Sequence, residues 1–374
     1  MMTTFDALAD PMRRRILDLL RERPRLVGEL ADLLSISQPG ISKHLRVLRE
    51  VGLVRVRQDA QRRWYELRPE PLAEVDAWLE SYRHLWDQRF HRLDDHLQEL
   101  QEKEKRLENT MRTVNSKDGT AIAFDQSGIG PALILVAGAT ATRVAEAALS
   151  AHLAPYFTVF AYDRRGRGDS GDTAPYAVER EVEDIEALIN EAGGSAFVFG
   201  HSSGAVLALE AARLLKSKIE KLAIYEPPFI IDDSRPPVPQ DYVAHLNELI
   251  AAGRRGEAVE YFMTDAMLVP AEMVAQMRNT PMWPQIEAVA HTIPYDGAIM
   301  GDTMSGNPST LRKWASVTVP TLVMVGGASH AFFHNGTQTL VDILPHAQYR
   351  TLKDQDHGPA DEVLTPVLVE FFKG

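Results

Sequence analysis

The sequence predicts a multidomain chain. A small, mostly helical α+β head with a two-stranded wing comes first, and a larger α/β domain with a mostly parallel sheet and a helical cap follows. Three observations predict this. The 374 residues exceed one ordinary domain. Closely spaced helical patterns fill the chain up to about residue 70, whereas apolar strands alternate with helices after Met111. Charge divides at the same place: Pro11–Pro69 carries 14 Lys/Arg against 7 Asp/Glu, and Met111–Gly374 carries 20 against 32 within a net charge of −12. A basic island on an acidic chain points to local phosphate contact rather than to a general nucleic-acid coat.

Hydrophobic content of 45% and charged content of 25% are those of a soluble globular protein. The chain has no cysteine, which excludes disulfides, thiol catalysis and thiolate metal sites together. Met1–Asp10 lacks the charged and apolar regions of a signal peptide, and no run approaches the roughly 20 apolar residues of a membrane span. A cytoplasmic protein without a membrane partner is expected.

Four helices and a hairpin are read before residue 70. The first runs near Thr4–Ala9, and the second runs Arg13–Glu22 with Ile16, Leu17, Leu19 and Leu20 as its apolar face, ended by Pro24. Val27–Leu34 is a third, with Leu30, Leu33 and Leu34 inward. Ser37 then caps a fourth helix that holds Pro39 in its first turn and runs to about Glu50, before Gly52. Leu53–Arg57 and Arg63–Leu67 read as the strands of a wing.

The third and fourth helices and the turn between them form a winged helix-turn-helix. Ile41, Leu45 and Leu48 hold the fourth helix to the core, leaving Gln38, Ser42, Lys43 and Arg46 outward on the half that enters a major groove. Gln and Arg suit base edges, while Ser and Lys suit phosphate. Ser37 and His44 complete the candidate reading set, and Arg55, Arg57, Arg62 and Arg63 on the wing would meet the flanking backbone. The ordered pattern from Ala9-Asp10-Pro11 through S-x-S-Q-P-x-x-S-K-H-L-x-x-L-R-x-x-G-L-V resembles the ArsR family of winged-helix repressors over about residues 1–100. That resemblance implies a homodimer on an inverted repeat of double-stranded DNA. Metal-sensing members use cysteine clusters, which this chain lacks. His44, His84, His91 and His96 read as surface histidines, so no metal or cofactor is expected.

From Pro71 to about Arg106, apolar residues recur at three- and four-residue steps without Gly or Pro. The length favours a dimerisation helix over one packed on its own domain, with residues 101–112 as linker.

Beyond residue 112, Thr120–Asp125, Leu133–Val136, Thr158–Tyr162, Ala196–Phe199, Lys221–Tyr225, Thr321–Val325 and Tyr349–Leu352 read as strands, largely buried central ones. The alternation lapses at about 228–316, the expected helical cap. The cap methionines, among them Met263, Met267, Met273, Met277, Met282, Met300 and Met304, would line a soft apolar pocket or serve ordinary packing.

Phe197-Val198-Phe199-Gly200-His201-Ser202-Ser203-Gly204 is a strand, a G-x-S-x-G turn and a helix start. Such a turn projects a serine, and small residues two before and two after let backbone segments pass. Ser202 is the expected nucleophile, and the Ser203 N–H an oxyanion donor. Ala139, after the strand ending at Val136, is the second donor. His357 follows the last strand as general base. His330, His334 and His346 precede that strand and are weaker rivals. The acid is open: Ser329 stands where G-x-x-D would place an aspartate, leaving Glu226, Asp302 or no acid at all. The loop Tyr162–Ser170 reads as a self-bracing turn.

From residue 113 onward the chain resembles the α/β-hydrolase superfamily. The resemblance implies an esterase, lactonase, epoxide hydrolase or haloperoxidase, or a fold without turnover; a serine at position 202 argues against the Asp-dependent epoxide hydrolases. Two functions are therefore expected of the fusion. One is a regulator whose second domain cleaves a small ester-like ligand, and the other is a regulator whose second domain only senses it.

Overall fold

The computed structural model describes residues 3–59, 62–73, 75 and 112–374. The chain divides into two compact units, Met1–Glu99 and Leu100–Gly374. Most of the long helix expected between residues 71 and 106, with its dimerisation role, lies outside the described residues, as do His84, His91 and His96. Among the described residues no helix is long and apolar enough to cross a membrane.

In the first unit α1 (Thr4–Leu8) is closed by a capping box, Thr3 against Asp6. Helix α2 (Pro11–Glu22) starts two residues before the expected Arg13, because Asp10 accepts the Met12 N–H at 2.8 Å and Pro11 fits the first turn. A short strand β1 (Arg25–Leu26), not expected from sequence, pairs antiparallel with the strand Arg62–Leu67, Leu26 opposite Trp64. Then come α3 (Val27–Leu34), α4 (Gln38–Glu50), β2 (Val54–Asp59) and β3 (Arg62–Leu67). Ser35, at φ 54°, closes α3, and Ser37 caps α4 through the Gly40 N–H. Ile16, Leu30, Ile41, Leu45 and Leu48 form the core. Leu33, expected inward, is 53% exposed; the three-residue step from Leu30 carries it past the core-facing stripe, and Ala31 is buried instead.

The second unit is an eight-stranded sheet. Its strands are β4 (Arg112–Asn115), β5 (Ala121–Ser127), β6 (Ala132–Val136), β7 (Thr158–Tyr162), β8 (Ala196–His201), β9 (Ile219–Tyr225), β10 (Thr321–Gly326) and β11 (Ala347–Leu352). Their spatial order is β11-β10-β9-β8-β6-β7-β5-β4, parallel except that β5 runs against both its neighbours. Strand β4 begins where the linker was expected to end. Helices α5 (Ala147–Leu153), α6 (Val178–Glu191), α7 (Ser203–Leu215), α13 (Ala331–Ile343) and α14 (Asp361–Lys373) connect or follow the strands. Two apolar layers cover the sheet, one with Val198, Val206, Leu222 and Val323 and the other with Leu135, Phe199, Met324 and Leu368.

Helices α8 (Tyr242–Ala251), α9 (Arg255–Tyr261), α10 (Ala271–Met277), α11 (Trp283–Ala288) and α12 (Ile293–Met300) lie between β9 and β10. Their own small core holds Tyr242, Leu246, Val259, Met263, Trp283 and Ile293. Within the segment expected as cap, Ile299, Met300, Leu311 and Trp314 pack into the core on the sheet. The methionines divide likewise. Met263 is in the cap core, Met300 is in the sheet core, and Met267 is 50% exposed.

Candidate active site

Parallel strands send their carboxyl ends to one edge of a sheet, where ligand sites in open α/β folds lie. Here His201 is paired with Tyr225, and Tyr225 with Met324, so Ser202 and Glu226 leave neighbouring strands at the same level. Ser202 sits on a sharp turn at φ 56° and ψ −126°, a backbone state uncommon for a residue with a Cβ. The turn exists because its flanks are glycines. A Cβ on Gly200 would come within 2.5 Å of the Gly204 carbonyl oxygen, and one on Gly204 within 2.2 Å of the Val136 carbonyl oxygen.

His357 reaches Ser202 from the loop after β11. Its Nε2 is 3.1 Å from Ser202 Oγ, and its Nδ1 is 2.8 Å from Glu226 Oε2. Glu226 is fully buried and stands at φ 46° just beyond β9. Its Oε1 accepts the Gly326 N–H at 2.7 Å and the Ser329 hydroxyl. Of the acids weighed from sequence, Glu226 faces the histidine; Asp302 is exposed and makes no contact there, and Ser329 supports the acid rather than replacing it. His330, His334 and His346 form no hydrogen bond with Ser202.

Sequence reasoning missed the groups that hold the loop of the base. His201 Nε2 donates to the His357 carbonyl at 2.8 Å, and the Tyr225 hydroxyl donates to the Asp356 carbonyl. Burial, then the neighbouring His357, lowers the His201 pKa to about 3, which keeps the ring neutral. Phe333 stacks on the His357 ring at 4.7 Å between centroids. A polar side chain between a G and a nucleophilic serine was a weak signal for the first of these; nothing in the sequence signals the others.

The residues expected to supply oxyanion donors lie beside the serine. Ser203 opens α7, and a Cβ on Gly138 would lie 3.1 Å from Ser202 Cβ, so the Gly138–Ala139 peptide borders the nucleophile. The arrangement can do nucleophilic acyl transfer. In such a transfer imidazole would take the serine proton, the buried carboxylate would hold Nδ1–H and stabilise the imidazolium, and backbone N–H groups would meet the developing oxyanion.

In the head, Gln38, Ser42, Lys43 and Arg46 are exposed along α4, as expected. His44 is different: it is partly buried, with Nδ1 3.6 Å from Asp10 Oδ2 at the start of α2. On the wing Arg55, Arg57, Arg62 and Arg63 are all exposed, and Arg55 and Arg57 both donate to Glu66, at 2.9 and 2.6 Å. Arg46 pairs loosely with Glu50 at 3.6 Å.

The sheet order, the strained serine turn and the acid and base at one sheet edge define a protein of the hydrolase class, fused to a helix-turn-helix head. The Alpha/beta hydrolase family matches residues 133–367, and a Helix-turn-helix domain matches residues 8–57. The chain belongs to the α/β-hydrolase family and carries a transcription-regulator helix-turn-helix ahead of the hydrolase domain. An α/β hydrolase from Sphaerobacter thermophilus is 57% identical, with a TM-score of 0.65 over 70% of this chain and 100% of that one. An HTH-type transcriptional regulator of Mycobacterium tuberculosis is 42% identical over 78 residues, 21% of this chain and 73% of the relative. The transcriptional repressor SdpR of Bacillus subtilis is 33% identical over 82 residues, 22% of this chain and 91% of the relative.

Proposed function

We propose that this protein is a DNA-binding transcription regulator whose second domain is a serine hydrolase for a small ester-like ligand, and that the ligand controls DNA binding. The observation that carries the catalytic part is the line from Glu226 through His357 to Ser202, at 2.8 and 3.1 Å. A domain that only binds has no need of a strained serine, a base within hydrogen-bond reach and a buried acid behind it. Ser202 attacks the acyl carbon while His357 Nε2 accepts its proton; the alcohol leaves with that proton, and water then releases the acyl group by the same relay. The N–H groups of Ala139 and Ser203 stabilise both tetrahedral intermediates. The substrate class rests on the serine chemistry.

DNA binding is supported by the exposed Gln38, Ser42, Lys43 and Arg46 on α4 and by the named function of the relatives over the head. A homodimer through the N-terminal domain, reading an inverted repeat, fits that set. Regulation requires the ligand to favour one arrangement of the reading heads, since equal affinity for both shifts nothing.

The catalytic part is tested by hydrolysis of p-nitrophenyl acetate and butyrate, wild type beside Ser202→Ala. Turnover that disappears in the variant is expected; a wild type without serine-dependent turnover leaves a ligand sensor instead. The DNA part is tested by gel shift on the gene's own upstream region. Lys43→Ala with Arg46→Ala should abolish a salt-sensitive shift, and an unchanged shift removes α4 as the reading helix.

A further inference from the structure

We propose that Asp296, on α12 where the cap rejoins the sheet, is a positioning residue that sets both oxyanion donors of the hydrolase site. The proposal rests on the serine-hydrolase reading above. Asp296 is buried, and each carboxylate oxygen has its own task. Oδ1 accepts the Ser203 hydroxyl at 2.7 Å and an Arg164 N–H at 2.7 Å. Oδ2 accepts an Arg167 N–H at 2.6 Å. Arg167 in turn donates to the Gly138 carbonyl at 2.6 Å and to Thr292 Oγ1 at 3.0 Å. One carboxylate therefore grips the residue after the nucleophile directly, and the loop after β6 through a single guanidinium.

The second grip matters because of peptide geometry. The Gly138 carbonyl and the Ala139 N–H belong to one planar unit. The cis bond among the described residues is Ala174–Pro175, so this unit is trans and its N–H points opposite to its carbonyl. Arg167 holds the oxygen on the buried side, and the N–H is thereby aimed the other way. The peptide borders Ser202, as the 3.1 Å approach of a Gly138 Cβ to Ser202 Cβ shows. Gly138 makes a rotation of this peptide sterically cheap. Rotated, it would turn a carbonyl oxygen instead of an N–H toward the negative charge of the intermediate.

The cluster is built to stay put. Glu181 takes two N–H groups of Arg164 at 2.7 and 2.8 Å, so two guanidiniums face two carboxylates out of water. Burial alone would raise the Asp296 pKa, but Arg167 and Arg164 outweigh it and keep the carboxyl ionised. The loop Tyr162–Ser170, expected only to brace itself, thus supplies the two arginines that tie cap, oxyanion loop and nucleophile helix together.

Asp296→Asn keeps the shape and removes the charge. Ser203→Ala removes one hydroxyl and leaves the ion pairs intact, so it reads the same device if the first variant folds poorly. Each is measured for kcat and KM on p-nitrophenyl butyrate. Each is also measured for Ki of an aliphatic trifluoromethyl ketone, which forms an oxyanion adduct on a serine. For Asp296→Asn we expect kcat to fall about 10²–10³-fold with KM little changed, the size of losing an oxyanion donor. Ki should rise by the factor that kcat/KM falls, and Ser203→Ala should move both in the same direction by less. A merely structural role would lower the active fraction and leave Ki of the remaining sites unchanged; that result, or wild-type values in both variants, overturns the proposal. A wild type that binds the ketone but does not turn over the ester refutes the esterase reading alone, since the variants are still compared by Ki. A wild type that does neither overturns both.

Discussion

Glu226 meets His357 at 2.8 Å from the end of β9, one strand earlier than the G-x-x-D pattern would place an acid. The shift is possible because Tyr225 and Met324 are paired across β9 and β10, so the two strand ends lie side by side. A longer side chain leaving β9 at φ 46° covers the difference.

Glu226→Gln should lower kcat by about 10³–10⁴-fold with the fold preserved. The amide oxygen can still accept the Gly326 N–H and the Ser329 hydroxyl, which turns the NH₂ toward His357 Nδ1. Nδ1 must then accept, its proton moves to Nε2, and Nε2 can no longer take the serine proton. Ester hydrolysis and a melting curve decide it; an unaffected kcat rules Glu226 out as the acid.

Ser329→Asp restores the residue type expected after β10, yet it should reduce activity. The Ser329 hydroxyl now donates to Glu226 Oε1, and an aspartate there would set a second carboxylate against a fully buried one. Two carboxylates in one site repel each other, and the second would displace the oxygen that now holds Gly326 and Ser329. Adding Glu226→Ala to Ser329→Asp removes the clash and should recover part of the loss in kcat. A single variant as active as wild type would show that the carboxylates do not interact.

The parts legible in the sequence are those fixed by local pattern. Ser202 stands out as a candidate because a G-x-S-x-G turn between an apolar strand and an apolar helix has few other uses, and α3 spans the Val27–Leu34 expected of it. His357 was readable from its place after the last strand. Glu226 was only one of several acids because pairing between β9 and β10 joins residues about 100 positions apart, which no local pattern records. Asp296 was invisible for the same reason: its partners Arg164, Arg167 and Ser203 come from two other connections. Leu33 misled because apolar identity does not say which side of a short helix faces the core.

On the wing, Glu66→Gln should strengthen DNA binding at low salt and steepen its salt dependence. Arg55 and Arg57 are 66% and 52% exposed, and both donate to Glu66. Neutralising that carboxylate releases Arg55 for phosphate and leaves Arg57 only its longer 3.7 Å pair with Asp59. Fluorescence anisotropy against KCl should show the slope of log K against log salt growing by up to about 2, since each phosphate contact contributes roughly 0.9. A slope equal to that of wild type would mean that the wing does not touch the backbone.

Glu146 makes stability depend on pH with a sign opposite to that of most carboxyls. Burial, then the nearby Asp361, raises its pKa from the usual value to about 7. The folded chain therefore keeps a proton that the unfolded chain gives up near pH 4.5. Between those values folding is linked to holding that proton, so this contribution is full at low pH and is lost as pH rises toward 7. Glu146→Gln removes the linkage without removing the bulk. The variant should melt near the wild-type temperature at pH 5 and increasingly above it up to pH 8, where the wild type must hold a charge at a half-buried position. His201 acts in the other direction, since its neutral ring favours folding at higher pH, but it is common to both proteins and cancels in the difference. Scanning calorimetry at half-unit intervals reads that difference directly. A constant offset between the two melting temperatures across the range would show that Glu146 titrates alike in the folded and unfolded chains.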